Sequence, residues 1–121
     1  MAEHNDLGKN GELRAQQYLR EKGYLIRHVN YKVGKLELDI VAEKDGWLVI
    51  VEVRTRSTAT FIAPEETINL TKIKHLVNAA SGYIKYFGWR GETRFDIIGI
   101  IPNGNDFDIE HIEDAFLAPV N

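Results

Sequence analysis

The chain has 121 residues, 44% hydrophobic and 27% charged, which is the balance of a single ordinary globular domain and excludes a disordered chain. There is no cysteine, so disulfides, thiolate zinc sites and a cysteine nucleophile are ruled out. The net charge of −3 hides an asymmetry: residues 1–91 carry 14 Lys/Arg against 11 Asp/Glu, whereas residues 92–121 carry one against seven.

The polar start, Met1 to Asp6, lacks the basic and apolar regions of a signal peptide. No apolar run approaches a membrane span. The expectation is a soluble, cytoplasmic protein of one domain, residues 1–121, with no membrane partner.

A first helix is predicted from about Leu7 to Lys22, with Asn5 or Asp6 as its cap and Gly23 as the residue that ends it. Its inward stripe is small, Gly8, Gly11 and Ala15, followed by Tyr18 and Leu19. Glu12 falls beside that stripe at helical spacing. Two readings of Glu12 stand side by side: an acid favoured by the helix dipole, or a carboxylate aimed inward at a site. Seven basic residues lie between Lys9 and Lys35, offset only by Glu12 and Glu21. They form either a solvated face or a phosphate-facing patch.

Tyr24 to Tyr31 reads as the first strand. Leu36 to Val41 and Trp47 to Val53 follow, and the Asp45-Gly46 pair between them is a strong hairpin signal. With a two-residue loop, Asp39 lies directly across from Glu52 and Arg54 across from Glu37, all on one face. Like charges directly opposed are destabilising. The bland reading is a set of solvated side chains on an open sheet face. Against it, Val49, Val51 and Val53 are apolar on one face, Val41 and Ile50 on the other, and a strand apolar on both faces is buried on both. A cation would relieve the repulsion, and carboxylate oxygens suit hard divalent metals.

Ser57 to Pro64 is polar, β-branched and closed by proline, as in a connecting loop. A second helix is capped by Asn69, with Leu70, Ile73, Val77, Ala80, Ile84 and Phe87 at core spacing. Lys72 and Lys74 flank that stripe. Arg94 to Ile101 is a strand apolar on both faces and closed by Pro102, and Phe107 to Ile112 alternates as an extra edge strand would. The order αβββαβ, with a helix between strands able to pair in parallel, predicts an α/β fold with a mixed central sheet flanked by helices.

No serine sits in a strand-to-helix elbow. Gly8 and Gly11 form neither nucleotide-binding motif. His4, His28, His75 and His111 show no ligand spacing and are read as surface residues. A carboxylate site with a cation beside it remains, and such a site can hold a metal that activates water and neutralises a phosphodiester.

Asp39 and then Glu52-Val53-Arg54, on a hairpin after a helix bearing Glu12, resemble the PD-(D/E)XK nuclease superfamily. The chain is more closely similar to the YraN-like family of small bacterial proteins with the restriction-endonuclease-like, three-layer fold. The match runs through Gly8-x-x-Gly11-Glu12-x-x-Ala15, Asn30-Tyr31, Glu37-x-Asp39-Ile40, Val51-Glu52-Val53-Arg54-Thr55-Arg56, Phe61-x-x-Pro64-x-Glu66, Lys72 with Ala79-Ala80, and Arg94-Phe95-Asp96.

The resemblance implies that Asp39, Glu52 and the Val53 carbonyl bind Mg²⁺ or Mn²⁺. It further implies that Glu12 assists from the helix, that Arg54 takes part in catalysis, and that Arg54, Arg56 and Lys72 contact substrate phosphate. The implied partner is nucleic acid, DNA before RNA, and a homodimer is allowed. Arg54 stands where the superfamily motif has lysine, and a guanidinium stays protonated and cannot be a general base. Two further readings therefore accompany the endonuclease: a catalytically inactive nucleic-acid-binding module, and a protein-interaction domain using the acidic tail and the region from Phe107 to Phe116.

Overall fold

A computed structural model describes residues 2–55 and 68–116, with side chains from residue 10 onward. Arg56, the loop from Ser57 to Pro64, Glu66 and the side chain of His4 lie outside the described residues. The elements in order are helix α1 (Ala2–Glu21), strands β1 (Leu25–Val33), β2 (Leu36–Lys44) and β3 (Trp47–Thr55), helix α2 (Leu70–Phe87), and strands β4 (Glu92–Asn103) and β5 (Asp106–Ile112). The strands form one five-stranded sheet in the order β1-β2-β3-β4-β5, antiparallel except for the parallel β3/β4 pair that α2 connects.

The helices cover opposite faces and make three layers. Ala15 and Leu19 of α1 pack on Ile40, Ala42, Val49, Val51, Ile98 and Ile100. On the other face Leu76, Ala79, Ala80 and Tyr83 of α2 pack on Val41, Leu48, Ile50 and Phe95. The predicted mixed α/β sandwich is therefore the observed one, and the tail supplies β5 as its extra edge strand.

Local chemistry explains the element ends. Gly23, at φ 92°, ends α1 as predicted, its N–H donating to the Arg20 carbonyl at 3.0 Å. The start of α1 departs from expectation, because the helix begins at Ala2 and takes Asn5 and Asp6 into its first turns instead of using them as caps. Asn69 does cap α2, its side chain accepting from the Lys72 N–H at 2.9 Å, and Gly88 closes the helix at φ 67°. Asp45 and Gly46 have φ of 54° and 84°, so both central residues of the β2/β3 turn are left-handed, as a tight twisted hairpin requires. Pro102 does not close β4, which continues to Asn103 by pairing Pro102 with Phe107.

Small residues set the layer spacing. A Cβ on Gly11 would come within 2.7 Å of the Thr55 Oγ1, so the glycine lets α1 lie against the end of β3. Gly82 plays the same part for α2, where a Cβ would meet the Val33 Cγ1 at 2.7 Å.

Candidate functional site: a splayed hairpin with an unsatisfied buried carboxylate

The two-residue turn sets the hairpin register. Lys44 pairs with Trp47 and the ladder runs to Ile40 opposite Val51, which directs Asp39 at Glu52 as the sequence reading expected. The ladder stops there, although β2 continues back to Leu36 and β3 on to Thr55. Where the strands part, the Asp39 carboxylate takes over a backbone bond, its Oδ2 accepting from the Val53 N–H at 2.9 Å. Arg54 consequently does not pair with Glu37. Glu37 faces Lys32 of β1 at 3.7 Å, and Arg54 turns to Glu52 on its own strand at 3.3 Å.

Glu52 is the centre of the site and is only 4% exposed. Its Oε2 receives both neighbouring cations, the Arg54 guanidinium at 3.3 Å and the Lys72 ammonium at 3.6 Å. Its Oε1 is buried with no hydrogen-bond partner among the described residues, and so is Arg54 Nε. Burial first, and the Asp39 charge second, push the Glu52 carboxyl up to about 7, against the pull of Lys72 and Arg54. An acid this poorly compensated marks a place where the fold has not solved its own electrostatics.

Glu12 joins from the α1 side. Burial and the nearby Asp39 charge raise its pKa, opposed by a hydrogen bond from the Asn30 side chain. Asn30 lies across from Asp39, since Val29 pairs with Ile40 and Tyr31 with Leu38, and it adopts φ 49°. The sequence reading did not single out Asn30 as a site residue. Its signal is chemical: asparagine tolerates the left-handed conformation better than most residues and carries an amide to offer a carboxylate. Lys72 stands over the site because the Asn69 cap starts α2 one turn before it. A cleft of about 290 Å³ opens beside these groups, lined by Lys35, Leu36, Glu37, Asp39, Lys72 and His75.

The donor set fits a hard divalent cation bound in the manner of Mg²⁺. Among the described residues no three His, Asp or Glu side chains converge as a closed ligand cage. Two opposed carboxylates, one with a buried oxygen lacking a partner, are what such an ion uses when water and substrate phosphate complete its shell.

A second buried acid, Asp96, entered the sequence analysis only within the Arg94-Phe95-Asp96 stretch and was given no role. Asp96, 1% exposed, accepts from Arg94 Nε and Nη2 at 2.9 Å each and from the Asp114 N–H at 3.0 Å. His111 Nε2 lies 2.7 Å from its Oδ2 and Tyr18 Oη 3.1 Å from His111 Nδ1, while Arg94 Nη2 donates to Tyr24 Oη at 2.7 Å. Two histidines expected at the surface are therefore internal partners: His111 here, and His28, whose Nδ1 is 2.7 Å from Tyr83 Oη.

Fold and cleft together define a small mixed α/β protein with a paired-carboxylate site flanked by two cations. The chain belongs to the uncharacterised protein family UPF0102, whose profile matches residues 11–100, and the YraN-like resemblance of its motifs is borne out at the level of the family. It is 54% identical over 120 residues to a UPF0102 protein of Bacteroides thetaiotaomicron, covering 99% of both chains. It is 50% identical to UPF0102 protein BF0634 of Bacteroides fragilis, again over 99% of each. A third relative, UPF0102 protein FP2501 of Flavobacterium psychrophilum, is 47% identical over 96% of this chain and 98% of its own. No helix among the described residues is long and apolar enough to cross a membrane.

Proposed function

We propose that this protein is a metal-dependent nuclease-like protein acting on the phosphodiesters of nucleic acid, with Asp39 and Glu52 holding Mg²⁺ or Mn²⁺. The observation that carries the reading is the Glu52 carboxylate, buried, facing Asp39, flanked by Arg54 and Lys72, and left with one oxygen that has no hydrogen-bond partner among the described residues. When bound, the cation supplies charge neutralisation and an acidified water.

The protein's own groups do the rest. Asp39, steadied by the Val53 N–H, and Glu52 present oxygens from two splayed strands. Arg54 and Lys72 meet on Glu52 Oε2, and an incoming phosphate recruits them from the carboxylate to its own oxygens. Arg54 keeps its proton and so acts by electrostatics and geometry, not as a base. Glu12, with its raised pKa, orients a water or ligand from the α1 side. Arg56 follows Arg54 as a further phosphate contact, DNA is the preferred substrate, and a homodimer is the assembly allowed.

The test is cleavage of single-stranded, duplex and branched DNA and RNA with Mg²⁺ or Mn²⁺. Activity is expected to vanish in Asp39→Ala and Glu52→Ala, and activity that survives both substitutions sinks the assignment. Arg54 in place of lysine favours one second reading, a nucleic-acid-binding module without turnover. That reading predicts salt-dependent binding, no cleavage with any metal, and some cleavage gained in Arg54→Lys. An interaction surface from Phe107 to Phe116 has less to support it, because Phe107 packs on the α1-side core and Phe116 stacks on Phe95 at 5.1 Å.

A further inference from the structure

One face of α2 continues beyond the acidic cleft. Lys72, His75 and Leu76 line the cleft, and at the same helical spacing Gly82, Tyr83 and Tyr86 line a second recess of about 230 Å³. The opposite wall of both is the β1/β2 hairpin: Lys35, Leu36 and Glu37 at the cleft, Tyr31, Lys32 and Val33 at the recess. Gly82 holds the two walls together between them, since any Cβ there would strike Val33. From Lys72 to Tyr86 the helix rises about 21 Å, the length of several nucleotides along a strand.

Three tyrosines line the recess, Tyr31, Tyr83 and Tyr86. Tyr83 is 1% exposed and fixed, its hydroxyl accepting from Arg27 Nε at 2.9 Å and its ring set edge-on to Tyr31 at 5.2 Å. Tyr86 stands free beside it, 78% exposed, with its ring edge-on to Phe87 at 4.9 Å. Apart from that edge contact the Tyr86 ring is left in water, where it offers a π face to a ligand. The basic groups on the rim, Lys35 at the cleft and Lys32 at the recess, which an incoming phosphate would draw from its exposed pair with Glu37, suit a backbone that carries one phosphate per base.

We propose that the Tyr31/Tyr83/Tyr86 recess is a stacking subsite for an unpaired nucleobase, so that the strand engaged by the acidic cleft is single-stranded or locally unpaired. The proposal rests on the reading of the cleft as a phosphodiester site and adds to it the class of substrate. Aromatic side chains beside a basic groove are the usual means of holding single strands without reading their sequence.

The test measures binding of a fluorescent single-stranded oligodeoxynucleotide and of a duplex of equal length to the full chain, in an Asp39→Asn background so that cleavage does not consume the probe. Tyr86→Ala is expected to weaken single-strand binding about tenfold, Tyr86→Phe to keep it, and duplex binding to be unmoved. An oligomer with abasic sites should show the same loss, with Tyr86→Ala then adding nothing. Single-strand affinity unchanged in Tyr86→Ala, or lost equally for duplex, overturns the subsite. The cleft reading survives that result if binding still responds to Lys72→Ala. Absence of binding to either probe at low salt overturns both.

Discussion

Among the described residues two acids are buried, one on each face of the sheet, and the protein treats them in opposite ways. Asp96 sits under α1 with four hydrogen bonds from three neighbours: two from Arg94, one from the Asp114 N–H and one with His111. Burial pushes its carboxyl up, yet the bonds from His111, Arg94 and Asp114 outweigh it, and the net shift is downward. Glu52, on the α2 face, has two cations on one oxygen and, among the described residues, no hydrogen-bond donor on the other, and it is shifted upward. A buried charge that is fully bonded is part of the architecture. One held short of partners, across from a like charge, is suited to bind what the protein lacks.

The largest effect should come from breaking the satisfied acid. Asp96→Asn leaves the Arg94 guanidinium facing an amide donor inside the sheet, and removing one member of a buried ion pair costs about 3–5 kcal/mol. Urea unfolding reads this directly; a loss under about 1 kcal/mol would place Asp96 outside the architecture.

The next comparison is of pH slopes. The folded chain holds a proton on Glu52 that the unfolded chain releases between pH 4.5 and about 7. Stability should therefore fall by roughly 3 kcal/mol as pH rises through that window and stay level above it. Glu52→Gln should flatten this fall. Asp96 contributes with the other sign: its stabilisation is present above the ordinary carboxylate range and is lost as pH falls through its lowered pKa. Identical pH profiles for the wild type and Glu52→Gln would show that Glu52 titrates normally.

Mg²⁺ or Mn²⁺ offers a gentler way to move Glu52. At pH 8 a cation present at a hundredfold excess over its Kd raises stability by about 2.7 kcal/mol, and this gain should be missing in Asp39→Ala. Asp96→Asn should retain it, measured as the same rise in melting temperature on adding metal. The smallest effect is expected at Lys72. Its replacement by alanine should lower the salt dependence of nucleic-acid binding by about one unit of slope, while leaving the fold intact, since its side chain is 38% exposed.

The unsatisfied acid was the legible one. Asp45-Gly46 sets a two-residue turn, the turn sets the register, and the register brings Asp39 to Glu52, all within fourteen residues of chain. Lys72 was equally accessible through its cap, Asn69, three residues before it. The satisfied acid was hidden. Tyr18 and His111 meet across 93 positions, and Tyr24 and Arg94 across 70, a proximity that no local pattern encodes. For that reason His111 passed as a surface residue although its side chain is only 6% exposed.

The sequence by itself determined the mixed α/β order, the hairpin pairing, the C-terminus of α1 and the opposition of two carboxylates, because each follows from turn chemistry or periodicity over short stretches. Tertiary structure alone decided that β2 and β3 part after Ile40 and Val51, with Asp39 filling the gap on Val53. It also decided that Arg54 and Lys72 share one oxygen of Glu52, and that Arg94, His111 and Asp114 close around Asp96, backed by Tyr18 and Tyr24 from the other end of the chain. Whether a buried charge is satisfied depends on which distant donors the packed layers deliver to it, and that is settled only when the helices lie on the sheet.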